Sequence, residues 1–346
     1  HSPGSPCPMV KLGWGIAGCG WVARDYVGPA IQASANGHLL GCYDPDPRSR
    51  QLANERFGVP CTDDMAAFLA TPGLQAVYVA APNDAHRGLV ETIAKAGIPV
   101  LCEKPMATTM EDAEAMVAAC AQAGVRYGTA FDQRFHAAHR ALAALVAEGR
   151  LGTVTTIRIV YACWLPANWA GDNWRIDRKR AGGGALMDLA PHGLDLSAML
   201  LGEPLVDIAA FGQARVHRYD VEDGALLMAR SASGVLVQMH VGYNCPETLP
   251  RRRLEVVGTA GQVIATDTMG QTAGGTLDFI DAATGVTQSV PVPGADRSPF
   301  LNQVEAFAGA VLGTDPFPFP AEADLHTMDL VLRAQAMAVA DLGKTQ

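Results

Sequence analysis

At 346 residues, 49% of them hydrophobic and 36 of them glycine, the chain is too long for a single hydrophobic core and suits about two domains that fold by burial. A formal net charge of −9 and a pI near 5.4 exclude the clustered basic face that nucleic acid or an anionic membrane surface would need, leaving a small molecule as partner. The eight cysteines form no C-x-x-C pair and no Cys/His metal spacing, so neither a zinc site nor a disulfide framework is indicated and a reducing cytoplasm fits.

His1 to Pro8 is rich in Pro and Ser and reads as a processing remnant, with Met9 as the expected start. No stretch approaches the roughly 20 apolar residues of a membrane span. From Leu12 to Ala130, apolar runs alternate with helical patterns: Leu12 to Ala17, Leu39 to Tyr43, Ala76 to Ala80, Val100 to Cys102 and Val125 to Ala130, with helices at Ala85 to Ala96 and Met110 to Ala123. That rhythm predicts successive β-α units on a doubly wound parallel sheet over residues 9–134. Thr109 and Gly124 are the expected caps of the Met110 helix.

Beyond Arg150 the pattern changes to strands at Val154 to Cys163, Val206 to Val216, Ala225 to Ala229, Val235 to Val241, Arg253 to Val257 and Gln262 to Thr266. Turns such as Ser233-Gly234 and Gly258 to Gly261 separate them, so residues 135–346 are expected to form an α+β domain on a large, mostly antiparallel open sheet. Helical patterns at Ala185 to Leu201, Asn302 to Val311 and Ala321 to Leu342 would cover one face of that sheet and leave the other for subunit contact.

The strongest local signal is Gly18-Cys19-Gly20-Trp21-Val22-Ala23, a G-x-G-x-x-A turn between a strand and a helix. Gly18 permits the tight turn, Gly20 lets backbone approach a pyrophosphate, and the helix N-terminus offers N–H groups to it. Asp44 ends the second strand, where a carboxylate accepts from the adenosine ribose hydroxyls and repels a 2'-phosphate, favouring NAD over NADP. A turn-forming Asp before Pro45 is the competing reading of Asp44, and Arg48 could stack on adenine or reach a 2'-phosphate, which keeps NADP possible. Ala81-Pro82-Asn83-Asp84-Ala85-His86 follows the fourth strand, at the carboxyl edge where ligands sit; Asn83 or Asp84 would equally serve as a helix cap. Glu103-Lys104-Pro105 ends the fifth strand and puts a cation where nicotinamide and substrate would meet, with a surface ion pair as the competing reading.

Gly182-Gly183-Gly184 leads into a helix carrying Asp188 and His192, four apart and so on one face, a workable acid-base pair or else a cap and a core histidine. Pro191 between them should kink that helix. Trp164, Trp169 and Trp174 recur at five-residue intervals, a rim on which a pyranose could stack with Asn168 and Arg175 as hydrogen-bonding groups, or a satellite hydrophobic cluster.

Together these pieces resemble the Gfo/Idh/MocA family, the glucose-fructose oxidoreductase and inositol dehydrogenase group, over nearly the whole chain. The resemblance rests on Gly18-Cys19-Gly20, Glu103-Lys104-Pro105, Trp174-Arg175, and Gly182 to Gly184 with Asp188 and His192; Val221-Glu222-Asp223 and Leu254 to Gly261 also look like the family. It implies a Rossmann domain followed by an α+β substrate and oligomerisation domain. It also implies catalysis by Lys104, Asp188 and His192 without a metal. On that basis His192 is the general acid/base, Lys104 polarises the reacting oxygen, and Asp188 orients a second hydroxyl or tunes the histidine. The implied cofactor site comprises Gly18 to Val22, Asp44, Arg48, Ala81 to Asn83, His86, Glu103, Lys104 and Asp132. Lys104, Trp164, Asn168, Trp174, Arg175, Asp188 and His192 would meet the substrate. Two departures stand out: Asp132-Gln133-Arg134-Phe135 replaces an Asn-Arg-Arg-Phe of many members, and Ala190-Pro191 replaces Gly and Ser before the histidine. The implied activity is an NAD(P)-dependent dehydrogenase or reductase of a sugar, cyclitol or polyol in a cytoplasmic homo-oligomer. A glycosidase that retains NAD and oxidises transiently, or a non-catalytic sugar sensor on the same scaffold, are the alternatives.

Overall fold

The computed structural model describes residues 9 to 342, so the expected remnant His1 to Pro8 lies outside the described residues. The first half runs β1 (Leu12–Ala17), α1 (Gly28–Ala33), β2 (Gly37–Tyr43), α2 (Pro47–Phe57), β3 (Cys61–Thr62), α3 (Met65–Leu69), β4 (Ala76–Val79), α4 (His86–Lys95), β5 (Val100–Glu103), α5 (Met110–Ala123) and β6 (Tyr127–Ala130). The strands pair in parallel in the order β3-β2-β1-β4-β5-β6, which leaves the switch point of strand order at the carboxyl ends of β1 and β4. Side chains alternate across each strand, so Val77 and Val79 pack with Val90 and Ile93 of α4, while Ala76 and Tyr78 pack on the opposite face with Val27 and Ile31. Both faces are covered, which is why these strands read as unbroken apolar runs. Thr109 caps α5 by accepting from the Asp112 N–H, and Gly124 closes it at φ +67.

The second half runs α6 (Ala137–Ala147), β7 (Val154–Ala162), α7 (Arg178–Ala181), α8 (Ala185–Leu201), β8 (Leu205–Gln213), β9 (Gly224–Ser231), β10 (Leu236–Gly242), β11 (Arg252–Gly258), β12 (Gly261–Thr266), β13 (Thr276–Asp281), β14 (Thr287–Ser289), α9 (Pro299–Leu312) and α10 (Ala321–Leu342). Its strands form one sheet in the order β14-β13-β12-β11-β7-β10-β9-β8, with β7 and β10 parallel and the other neighbours antiparallel. Helices α8 and α10 cover one face, with Gly193 of α8 set against Met239 of β10.

Two expectations for this half are corrected. The strand expected over Val206 to Val216 stops at Gln213, because the buried Asp223 carboxylate takes the N–H groups of Arg215, Val216 and His217 and turns the chain there. The helix α9 does not lie on the open sheet. Its Phe300, Val304 and Phe307 pack against Trp14, Tyr78 and Ile31, so a late segment of chain completes the core of the first domain. Among the described residues no helix is long and apolar enough to cross a membrane.

Candidate active site

The site is a cleft at the switch point, bounded by the β1 turn, the ends of β4 to β6, the β7 strand, and α8. At Gly18 the backbone turns at φ +102, and a Cβ there would sit 2.6 Å from the backbone of Ala80 and Ala81, so only glycine lets β1 and β4 end side by side. At Gly20 nothing lies within 4 Å of a Cβ position, and the residue borders the cleft with Trp21 and Val22. That open cradle leads without a break to Ala81, Asn83, Glu103, Lys104 and Asp132, a run that fits an extended dinucleotide.

Asp44 is committed in part to the turn itself. One carboxylate oxygen accepts from the Cys19 N–H at 2.7 Å and the other from the Asp46 N–H at 2.8 Å. Arg48 lies on the exposed side of α2 and bonds Gln51, whereas Arg50 donates to the Asp44 and Pro45 carbonyls and is the nearer arginine. His86 is corrected from cofactor contact to structural tie. It is fully buried, with Nε2 2.9 Å from the Ala81 carbonyl and Nδ1 3.0 Å from those of Pro105 and Met106, so it fastens the β4 loop to the Lys104-Pro105 loop. Asn83 caps nothing with its side chain. It donates to the Ala181 carbonyl and so holds α7, just before the glycines, against the nucleotide side of the cleft.

At the end of β5, Glu103 and Lys104 point apart, which disposes of the surface ion pair. Glu103 accepts from Tyr78 Oη at 2.6 Å, and Gln303 of α9 donates to that same hydroxyl. Lys104 Nζ instead reaches α8, 2.9 Å from Asp188 Oδ1 and 2.6 Å from its carbonyl oxygen. The other Asp188 oxygen accepts from Tyr243 Oη at 2.7 Å. Burial alone would raise the Asp188 carboxyl. The Lys104 and Arg175 cations and the two side-chain hydrogen bonds outweigh that and hold it below its ordinary value.

Helix α8 continues through Pro191, and its N-terminus is anchored by Glu222, whose carboxylate accepts from the Gly184 and Leu186 N–H groups. A Cβ at Gly184 would lie 2.1 Å from the Glu222 carbonyl oxygen, which explains the glycine there. Asp188 and His192 share one face as expected, yet Asp188 bonds Lys104 and Tyr243 rather than the imidazole. The carboxylate nearest His192 comes from the other domain: Asp132 Oδ1 lies 3.8 Å from His192 Nδ1. Burial, with Lys104 beside it, pushes His192 well below its ordinary value near 6.5, and Asp188 opposes this only in part.

Of the tryptophan rim, only part reaches the cleft. Trp174 and Arg175 line it, and the Arg175 guanidinium sits among the rings of Trp174, Trp169 and Trp21 at 4.6, 5.6 and 5.9 Å. Trp21 and Trp169 meet edge-on at 5.2 Å, so the loop that follows β7 packs on the turn after β1. Trp164 and Asn168 are corrected: Trp164 packs on His217 at 4.7 Å, and Asn168 is exposed, so neither lines the cleft. Sequence reasoning missed Tyr161, Gln271 and Phe300 as cleft walls and Tyr243 as the partner of Asp188. They come from widely separated segments, and no local motif marks them.

Comparison with known proteins places the chain. The family model "Oxidoreductase family, NAD-binding Rossmann fold" matches residues 12–131, and "GFO/IDH/MocA C-terminal domain" matches residues 139–264. A 1,5-anhydro-D-fructose reductase of Ensifer adhaerens is 34% identical over 78% of this chain and 80% of its own. A D-xylose 1-dehydrogenase (NADP(+)) of Haloferax volcanii is 30% identical over 86% and 88%. The crystal structure of aldose-aldose oxidoreductase from Caulobacter crescentus, complexed with glycerol, superposes with a TM-score of 0.84 at 26% identity, covering 95% of this chain and 98% of that one. With a dinucleotide cradle at the switch point and a Lys104–Asp188–His192 group across the cleft, the chain belongs to the Gfo/Idh/MocA family of NAD(P)-binding oxidoreductases.

Proposed function

We propose that the chain is a dehydrogenase or reductase that moves a hydride between a nicotinamide ring and a secondary alcohol or ketone carbon of a sugar, cyclitol or related polyol. The carrying observation is the 2.9 Å Lys104–Asp188 pair, with His192 one turn further along α8, at the end of the cleft that begins at Gly18 and Gly20. The relatives' names, a reductase of 1,5-anhydro-D-fructose and a dehydrogenase of D-xylose, support a carbohydrate.

Residues Gly18 to Val22, Ala81 to Asn83 and Glu103 would hold the dinucleotide, which when bound supplies the hydride acceptor or donor. Lys104 then turns its ammonium from Asp188 toward the substrate oxygen and stabilises the charge that develops there. Asp188, ionised and anchored by Tyr243, accepts from a neighbouring hydroxyl and fixes the sugar's orientation. His192 takes the alcohol proton in oxidation and returns it in reduction. Because burial keeps the imidazole neutral down to well below its ordinary value, His192 is ready to accept a proton across the neutral range.

Following NADH formation across a panel of sugars and polyols tests this reading. One or more should be oxidised, and His192→Asn should cut that rate by about 100-fold or more while binding the cofactor normally. A panel with no turnover and no cofactor reduction would overturn it. Run with both cofactors, the panel should favour NAD, since the Asp44 carboxylate repels a 2'-phosphate and Arg48 lies on the exposed side of α2.

We also infer that two copies pair through the uncovered face of the open sheet. Phe211, Leu226, Met228 and Leu236 stand exposed on that face, and Phe211 of β8 lies directly opposite Leu226 of β9. Light scattering should find an oligomer that the double substitution Phe211→Glu, Leu226→Glu breaks to monomers with its circular dichroism unchanged. A monomeric parent would refute the pairing.

A further inference from the structure

The chain's departure at Asp132 places a second carboxyl against the catalytic histidine. Asp132 and His192 belong to different domains, yet their side chains are 4% and 6% exposed and their facing atoms, Oδ1 and Nδ1, lie 3.8 Å apart. Among the described residues Nδ1 is buried without a hydrogen-bond partner. Among the described residues the side chain that engages Asp132 is Gln133, whose Nε2 donates to Oδ2 at 3.1 Å, and the Asp132 backbone N–H also bonds the carboxyl. An orphaned ring nitrogen and a carboxylate oxygen that face each other close to hydrogen-bond range with a shift of under ~1.2 Å, as catalytic pairs do when a ligand fills the cleft.

We propose that Asp132 is the proton partner of His192, taking the Nδ1 proton as Nε2 takes one from the substrate hydroxyl. The reading rests on the proposed oxidoreductase chemistry and deepens it. In oxidation the substrate O–H bond breaks and an Nε2–H bond forms; the Nδ1–H bond breaks and an Asp132 O–H bond forms. The carbon's hydride leaves for the nicotinamide, so His192 ends neutral with its proton on the other nitrogen, and the released proton rests on Asp132. Reduction runs the same transfers backward.

The neighbours leave this pair free to titrate together. The tyrosines that face it, Tyr26, Tyr78 on β4 and Tyr161 on β7, are all raised above their ordinary value and stay neutral. His139 on α6 is lowered to about 3 and is neutral as well. Asp188 is held ionised, while burial raises Glu103, which Tyr78 and the Lys104 N–H engage, so the Asp132→Asn comparison is what assigns the step to Asp132. Lys104 attracts the Asp132 charge, but burial and the Glu103 charge prevail and push the Asp132 carboxyl up to about 8. His192, by contrast, lies well below 6.5, so an alkaline inflection that Asp132→Asn removes belongs to Asp132 and not to the imidazole.

Asp132→Asn keeps the shape, and the resemblance puts asparagine at this place in many family members, so the variant should fold and bind NAD. The first readout needs no substrate: nitrogen NMR of the histidine rings in the cofactor-free protein, assigned with His192→Asn. The parent's His192 signals should shift in a step on the alkaline side of neutrality that disappears in Asp132→Asn. The second readout is the oxidative kcat/KM on whichever polyol the panel identifies. In the parent it should fall about 10-fold or more between about pH 9 and about pH 6, and in Asp132→Asn by less than about 3-fold. An alkaline NMR step that persists in Asp132→Asn, or is missing from the parent, overturns the proposal. So does a variant that alters only NAD affinity, which would make Asp132 a carboxamide contact. If no polyol is turned over, the oxidoreductase reading fails, while the NMR result still decides whether the two residues share a proton.

Discussion

Arg134→Ala should destabilise the protein by about 3–5 kcal/mol or more, the cost of stripping a buried charge of its partner. Arg134 follows β6, at the end of the first domain, and its side chain is 3% exposed. Nε and Nη2 form a two-pronged bond to Asp195 of α8 at 2.8 and 2.6 Å, and Nη2 also reaches Asp324 of α10 at 2.6 Å. The guanidinium is stacked between Phe131 and Phe319, at 4.7 and 4.3 Å from the ring centres. Alanine removes the fork, both stacks and the charge, and strands two carboxylates side by side. Against a typical total of about 5–15 kcal/mol this is a large fraction.

The loss should depend on pH in a definite direction. Burial and the Asp195 charge already raise the Asp324 carboxyl, and Arg134 restrains it to about 6. Without the arginine it rises further, and a group raised in the folded state loses its stabilising effect as pH rises through that value. Thermal unfolding of Arg134→Ala should therefore fall furthest behind the parent near pH 8 and less near pH 5. Adding Asp324→Asn should recover part of the loss. A melting temperature within about a degree of the parent at pH 8 would mean that the triad contributes nothing, as some buried ion networks do. Asp195 lies one turn beyond His192 on α8, so the triad also holds the α8 residues against Lys104, and surviving enzyme should turn over more slowly.

Lys104→Ala should cost about 100-fold or more in turnover while leaving cofactor affinity nearly normal. The ammonium pairs with Asp188 at 2.9 Å, and the proposed chemistry sets it on the substrate oxygen. Burial depresses His192 most and the Lys104 charge adds to it, so removing that charge should raise the imidazole part of the way while burial still holds it down. The proposed oxidation needs neutral His192, hence any His192-linked fall in the residual oxidative rate of Lys104→Ala should come at a higher pH than in the parent. Measuring kcat, KM and NAD affinity across pH separates these effects. Turnover within a few-fold of the parent would show that Lys104 is a structural ion-pair partner for α8 and that proton transfer and charge stabilisation lie elsewhere.

Local chemistry makes the first domain and the ends of its elements legible in the amino-acid sequence. The Leu12 strand, the Met110 and Ala185 helices and their glycine caps obey periodicity, capping and turn rules that act within a few residues. Gly18, Lys104, Asp188 and His192 are legible for the same reason, because each sits at a strand end or on one helix face set by local geometry. The edge strand β14 is not, since Thr287 to Ser289 is exposed and carries no apolar signal. The destination of α9 is not either, because its apolar stripe suits any uncovered core and only tertiary packing sends Phe307 to Trp14 instead of the open sheet.

The partners inside the site were decided in the tertiary structure alone. Spacing puts Asp188 and His192 on one face and suggests that they interact, yet side chains four apart need not bond when better partners arrive from elsewhere. Lys104 and Tyr243 claim Asp188, and Asp132 stands closest to His192 from across the domain boundary. His86 looks like a ligand contact beside the nucleotide loop, but full burial among three carbonyls makes it a tie between loops. Strand ends and helix faces are local, so Gly18, Lys104, Asp188 and His192 can be placed at the cleft from the sequence, whereas Tyr161, Gln271 and Phe300 arrive there only through the fold. Which of them pair, and how far burial moves the His192 and Asp132 protonation equilibria, depends on long-range contacts and desolvation that exist only once the two domains close on each other.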